Sequence, residues 1–392
     1  MHYLLHYFDP DFSHLKLTPE QRSDGSAELR HLGYVQNVVE GQVLAELVDL
    51  QKHPGLPRDP RFIYKMKHLP IGPNCLAHPD NPDKIIAAAN GYVFYHKGLI
   101  SVKKLLNVRG DVGFHTGSIF FVNDICVHGD VHTGFSIQAR NIQIKGQVQS
   151  AKLKSAGDVV CLGGAKGANT SDMDGVPVGL AHSDDHYVPN TLIAARGNIR
   201  LPFCEHVQLR AENNIIIDES CMHSTLYVGG NLLVKGRLQG GTVYANGVVC
   251  VEKQLGGHYS SPTKIMMGYT PFDFLQLQKL ESQIRFLDDK VGYFTKMAAR
   301  NGVMRLEYEP RQQVMQRKLA IARKRHACLW RKFSVDEKSA PQCRIVVPGT
   351  AMPGCEISIG KAFLKTERME ENITFLLSDD GNEIISRPNT MP

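Results

Sequence analysis

The sequence predicts a mainly β protein whose centre is a right-handed parallel β-helix, or β-solenoid. Three observations carry this expectation. First, a short phrase returns through residues 105–270: a β-branched or small residue, then Gly or Asn, then Asp or Asn, then another β-branched residue. It reads Val108-Arg-Gly110-Asp111-Val112, Val127-His-Gly129-Asp130-Val131, Ala195-Arg-Gly197-Asn198-Ile199 and Val228-Gly229-Gly230-Asn231-Leu232. Second, the later copies are spaced 16 or 17 positions apart, from Ile199 to Ile215, Leu232 and Val248. A fixed short period marks a repeat architecture. Third, the alternation inside each copy has period two, as in Ile142-Gln-Ile144, which suits strands with one buried face. About 17 residues hold three short strands and three corners, so each copy is one coil and stability comes from its neighbours. Gly, Asn and Asp are expected at the corners for their tolerance of positive φ. A β-sandwich is the competing architecture, but it would show longer strands and irregular connections.

Composition sets the limits. The chain has 392 residues and a formal charge of +6. No apolar run reaches the ~18 residues a membrane span requires, and the apolar start Met1–Phe8 lacks the Lys or Arg of a signal peptide. Nine Cys stand singly with no CxxC pair, which argues against disulfides or a thiolate zinc site and for a reducing cytoplasm.

In chain order, residues 1–30 read as irregular, with Thr18-Pro19-Glu20-Gln21 able to open a short helix. Residues 31–104 read as a compact β-rich domain capping the first coil, with Glu40-Gly41 as the turn of a hairpin. An open solenoid end needs such a cover. Lys84 resembles the tip lysine of a carrier domain, but its spacing to Gly91 is too short, so it reads as an ordinary surface lysine. Residues 105–270 form the solenoid, with a loop excursion at 163–191. Within that excursion His182, Asp184, Asp185 and His186 are the candidate metal ligands. The helix that would bring the two His together is disfavoured by Gly179 and Pro189. Gly163-Gly164-Ala-Lys166-Gly167 lacks the Gly-Lys-Ser/Thr ending of a phosphate loop.

The run Thr116-Gly-Ser-Ile-Phe-Phe, Val127-His-Gly-Asp-Val, Ala195-Arg-Gly-Asn-Ile and Val234-Lys-Gly-Arg-Leu-Gln-Gly-Gly241 resembles the flagellar assembly protein A family. The resemblance covers about residues 60 to 380 and keeps the family's order of segments. The repeat style also resembles that of the polymer-forming bactofilins. It implies an N-terminal β-domain, a right-handed β-helix, a helical hairpin and returning C-terminal strands. It also implies a role in placing or regulating the flagellar apparatus through protein partners. The corner Ala139-Arg-Asn-Ile142 is one residue short of the usual phrase and implies a tighter turn.

After Pro271 the period changes. Leu277, Leu280, Ile284, Leu287, Val291 and Phe294 alternate spacings of three and four, as do Met315, Leu319, Ala322, His326, Leu329 and Phe333. These are two coiled-coil seams. The break from Asn301 to Pro310 makes residues 271–338 an antiparallel helical hairpin. The same seam offered to a second copy would give a homodimer. The second helix carries Arg317, Lys318, Arg323, Lys324, Arg325, Arg331 and Lys332, with no acid between Glu309 and Asp336. That pattern makes these residues candidates for binding an acidic protein, nucleic acid or an anionic membrane surface. With Trp330 the only Trp, base stacking is weakly supported. Residues 339–392 should return as strands continuing the solenoid, ending in a frayed tail from Arg387.

The function expected is a non-catalytic cytoplasmic scaffold or adaptor, with no cofactor. The alternative is a β-helix enzyme or ligand-binding protein acting on a glycan or polyanion at the 163–191 loop. Corner acids Asp111, Asp130 and Asp158 are expected on one edge, as in β-helix lyases. Their exchange for Asn198, Asn214 and Asn231 in later copies suits a structural role instead.

Overall fold

A computed structural model describes all residues except 18–19, 22–26, 29, 53–54, 56–58, 169–190, 258–261, 300–301, 336–341 and 390–392. The chain divides into two compact units, Met1–Arg210 and Ala211–Pro392.

The first unit opens with a β-rich domain. Its five-stranded sheet includes the strand His2–His6, which pairs antiparallel with Val43–Asp49 and with Ile63–Tyr64. The expectation of an irregular start at residues 1–30 is therefore corrected: Tyr3 and Leu4 are core residues of this domain. Burial fixes the strand, and its partners lie some forty to sixty positions away, out of reach of any local pattern. His6 sits edge-on to Phe62, Phe8 and Tyr95, and burial, helped by the Arg61 guanidinium, pushes its pKa down to about 4. Glu20–Gln21 is a short strand paired with Ala27–Glu28, not the start of a helix. Glu40-Gly41 does not close a hairpin either. Asn37–Val38 joins Gly91–His96, while Val43–Asp49 joins the other sheet. The hairpin of this domain is Gly91–His96 with Leu99–Lys103, turned by Lys97 and Gly98, both at positive φ.

From Leu105 the strands stack in parallel. Leu105–Val108 pairs with Asp124–Val127, whose Ile125–Val127 pairs with Ile142–Ile144, which pairs with Val159–Cys161. Inward Val108, Val127, Ile144 and Cys161 are buried, as the period of two requires. Asn37 ties the capping domain to the first coil: its side chain donates to the Phe120 carbonyl and accepts from the Val122 N–H. Ala165–Lys166 is a regular strand, paired with Val148–Gln149 and with Cys204–Glu205. The excursion therefore starts later than the Gly163 expected, because Gly163 and Gly164 belong to an ordinary corner. The candidate ligands His182, Asp184, Asp185 and His186 lie outside the described residues.

In the second unit Ile215–Val228 pairs in parallel with Leu232–Val234 and Arg237–Ala245, which pair with Val248–Val251 and Thr263–Met267. Here Leu232 faces Val249, not Val248. A one-residue shift reverses which side chain points inward, so Val249 is fully buried and Val248 takes the corner position.

Two helices, α1 (Pro271–Ala298) and α2 (Gly302–Val335), interrupt the stack. The expected break up to Pro310 is shorter than that, since α2 runs through Pro310. Proline removes one helical N–H bond, but around it the turns are held by the ion pairs Arg305–Glu309 and Arg311–Glu307 and by Tyr308 stacked on Phe294. Arg344–Ala351 and Glu356–Ile359 then resume the parallel stack. Ala362–Lys365 and Glu370–Leu377 turn back antiparallel over them, and Ile384–Pro388 pairs with Glu370–Leu377. The tail is thus paired through Arg387 and, by the Asn389 N–H to the Asn372 carbonyl, one residue beyond the strand.

Gly117, Gly134, Gly164, Gly240 and Gly241 take positive φ as expected, but the glycines of the repeated phrase work differently. Gly129, Gly146, Gly197 and Gly247 do not have positive φ. Each instead lies under a side-chain oxygen of the coil before it. A Cβ at Gly129 would stand 2.0 Å from Asp111 Oδ1, and one at Gly197 2.2 Å from Asp158 Oδ1. Only glycine leaves room for that oxygen.

Candidate interaction surface

The corner acids were the place where a solenoid could hold catalytic carboxylates, and the structure assigns them other partners. Asp111 Oδ1 accepts the Asp130 N–H at 2.8 Å, and Asp130 Oδ1 accepts the Gln147 N–H at 2.7 Å. Asp158 Oδ1 accepts the Asn198 N–H at 2.7 Å. In the second unit Asn214 and Asn231 do the same for the N–H groups of Asn231 and Val248. Asp and Asn serve equally, since only an acceptor oxygen is needed. The expected single edge is corrected: Asp111 and Asp130 follow the strands Leu105–Val108 and Asp124–Val127, whereas Asp158 precedes Val159–Cys161. They stand at two different corners of the coil. The short corner at Ala139–Ile142 keeps the device, with Asn141 Oδ1 accepting the Asp158 N–H. Donation from the Asp130 N–H, with His132 beside it, holds the Asp111 carboxyl below the usual range, and the two-pronged Arg140 guanidinium does so for Asp124.

Among the described residues no three His, Cys, Asp or Glu are grouped to hold a metal ion. All nine Cys are free thiols. Burial pushes Cys161 up to about 12 and Cys75 and Cys355 up to about 11, so they act as small core residues.

The helical pair is chemically unlike the rest. Its root is aromatic. Tyr227 stacks on Tyr244 at 4.9 Å, and Phe274 at the start of α1 continues the stack at 4.8 Å. The Tyr227 hydroxyl donates to Gln278, and Pro271 at the first helical position suits the fixed φ of a helix start. Along the helices Leu287, Leu319 and Ala322 are buried, with Ile284, Val291 and Met315 packed against them. The order of partners shows that the helices run antiparallel: Glu281 meets His326, Asp288 meets Arg323 and Thr295 meets Gln312.

The seven basic candidates on α2 do not form one patch. Arg323 is bound to Asp288 at 2.8 Å and holds the two helices together. Arg317, Lys318, Lys324 and Arg325 are exposed, as is Arg331. The side chain of Lys332 lies outside the described residues. Arg311 is paired with Glu307. Overlooked in the sequence were the apolar residues beside these cations, Val314, Ile321 and Cys328, all exposed and seven apart. Their spacing was the available signal, hidden by the stronger heptads of the seam.

Parallel coils with inward Val, Ile and Leu, interrupted by a helical pair and closed by returning strands, define a β-solenoid protein. The family model of the flagellar assembly protein A β-solenoid domain matches residues 104–384. The chain belongs to that family, whose name ties it to flagellar assembly. No curated protein and no solved structure matches the chain. No helix among the described residues is long and apolar enough to cross a membrane.

Proposed function

We propose that the protein is a non-catalytic cytoplasmic scaffold or adaptor in flagellar assembly or its spatial regulation. In this reading a right-handed solenoid presents α1 and α2, an antiparallel coiled-coil hairpin, to a protein partner. Exposed cations of α2, Lys318 and Arg325 among them, supply the contact surface. The observation that carries it is the concentration of charge. Helix α2 has nine basic residues against two acidic ones, a formal +7 in a chain of +6, so all remaining residues together are close to neutral. Charge held on one projecting element is suited to steering a partner of opposite sign. Nine free thiols favour a reducing compartment.

The test is a chain in which residues 272–338 are replaced by a short Gly/Ser linker, supplied as the only copy in a flagellated cell. The linker joins Thr263–Met267 to Arg344–Ala351, which anchor the stack on either side. Loss or misplacement of flagella by microscopy, with a cooperative unfolding transition retained, is the expected outcome. Normal flagellation would overturn the reading.

A further inference from the structure

The two flanks of the helical pair differ. On one, ion pairs and a hydrogen bond cross between the helices: Arg323 to Asp288, His326 to Glu281 and Gln312 to Thr295. On the other lie two apolar hollows. One, of about 410 Å³, is lined by Leu280, Leu329 and Cys328 with Lys279 and Arg325 at its rim. The other, of about 260 Å³, is lined by Phe294, Val314 and Met315 beside Arg311. Exposed Ile321 falls on the same side of α2 as Val314 and Cys328, one heptad from each. Arg311, Lys318 and Arg325 form a parallel row, also seven apart. Among the described residues Lys318 and Arg325 have no carboxylate partner. The other cations, Arg317, Lys324 and Arg331, form a second row turned away from the hollows.

A seven-residue repeat of apolar side chains with charges alongside is the pattern of one helix packed on another. A helix that lies on a bilayer needs a broad apolar face, and here there is one apolar side chain per heptad. A second copy would set one basic row against another, and like charges in a contact repel. We propose that this groove docks an acidic amphipathic helix of a partner protein, with apolar residues at heptad spacing entering the hollows and Glu or Asp flanking them against Lys318 and Arg325. The proposal rests on the adaptor reading and specifies the partner's chemistry and the side on which it binds.

The experiment uses the full chain and a fluorescein-labelled helical peptide of about four heptads, long enough to hold helix, with Leu in each heptad and Glu beside it. Phosphatidylserine vesicles serve as the competing surface. Two variants carry the same change of charge on the same helix: Lys318→Glu with Arg325→Glu, and Arg317→Glu with Lys324→Glu. The first pair is expected to weaken peptide binding by about tenfold or more, and the second by less than about threefold. Helical circular dichroism checks that both fold, and Lys318→Gln with Arg325→Gln replaces the first pair if it does not. Equal loss in both pairs, or vesicle binding with no peptide binding, overturns the proposal. If the two pairs behave alike while loss of the hairpin still abolishes flagellation, the groove is wrong and the adaptor role stands. If loss of the hairpin changes nothing in the cell, the adaptor role itself falls.

Discussion

Asp158 and Lys318 are both exposed charged residues, yet they stand in opposite situations. Asp158 sits at a corner of the coil with its carboxylate against the Asn198 N–H and side-chain amide. Lys318 stands on a helix beside an apolar groove, with no carboxylate partner among the described residues. The solenoid corners satisfy their polar groups internally, coil to coil. The helical pair bridges one flank with ion pairs and leaves Lys318 and Arg325 on the other with no carboxylate among the described residues. Charge on a surface therefore says little until its neighbours are known, and an internally bonded acid is poor evidence for chemistry.

The contrast can be broken at its strongest point by burying a charge. Val228 is fully buried between stacked coils. Val228→Asp is expected to cost roughly 3–5 kcal/mol, since a carboxylate there has no partner. Val314→Asp in the helical pair, at an exposed site, should stay within about 0.5 kcal/mol. Urea midpoints measure both, and equal losses would remove the distinction between stacked interior and open helix face.

A smaller effect separates the two kinds of glycine. At Gly197 a Cβ would press on Asp158 Oδ1, whereas at Gly292 in α1 nothing lies within 4 Å. Gly197→Ala should destabilise by about 1–3 kcal/mol, and Gly292→Ala should stabilise by about 0.5–1 kcal/mol, the gain in helix propensity. Opposite signs in thermal or chemical unfolding are the result to look for.

The smallest effect is in pH. The folded carboxyl of Asp111 titrates below its ordinary value of 3.8, chiefly because it accepts the Asp130 N–H. Its contribution is present above that ordinary value and is lost as pH falls through the lowered one. Asp111→Asn keeps the acceptor oxygen and removes the proton uptake. Stability should then depend less steeply on pH below about 4 and be little changed at neutral pH. An unchanged acid profile would mean that the corner bond does not bias the carboxyl.

Much of this was legible along the chain. The repeated Gly-Asp and Gly-Asn phrase marks the coils because each coil meets the next at almost the same sequence separation. The seam heptads mark α1 and α2 because apolar residues recur at helical spacing on the face that each helix turns to the other. What stayed hidden depends on distance across coils or helices. That Gly129 is there to admit Asp111 Oδ1 is visible only when one coil lies on another. That His2–His6 is a core strand depends on Val43–Asp49 closing over it. The division of the basic residues into a paired Arg323, a groove row and an outward row requires knowing where α1 lies. Pro310 misled because local propensity argued for a break, and packing with the ion pairs around it prevailed.

The returning strands near the C-terminus have a further consequence. Arg344–Ala351 and Glu356–Ile359 are the last strands laid down in parallel, and both of their outer edges are taken by antiparallel partners. Among the described residues, what remains open at that end is Ala362–Lys365, which runs against the stack and ends in Lys365, and Ile384–Pro388, which after two reversals runs with the stack but ends in Arg387 and Pro388. Such an edge is a poor template for another strand. A second molecule arriving there would meet one reversed strand and one strand ending in proline, an edge ill-suited to adding coil upon coil.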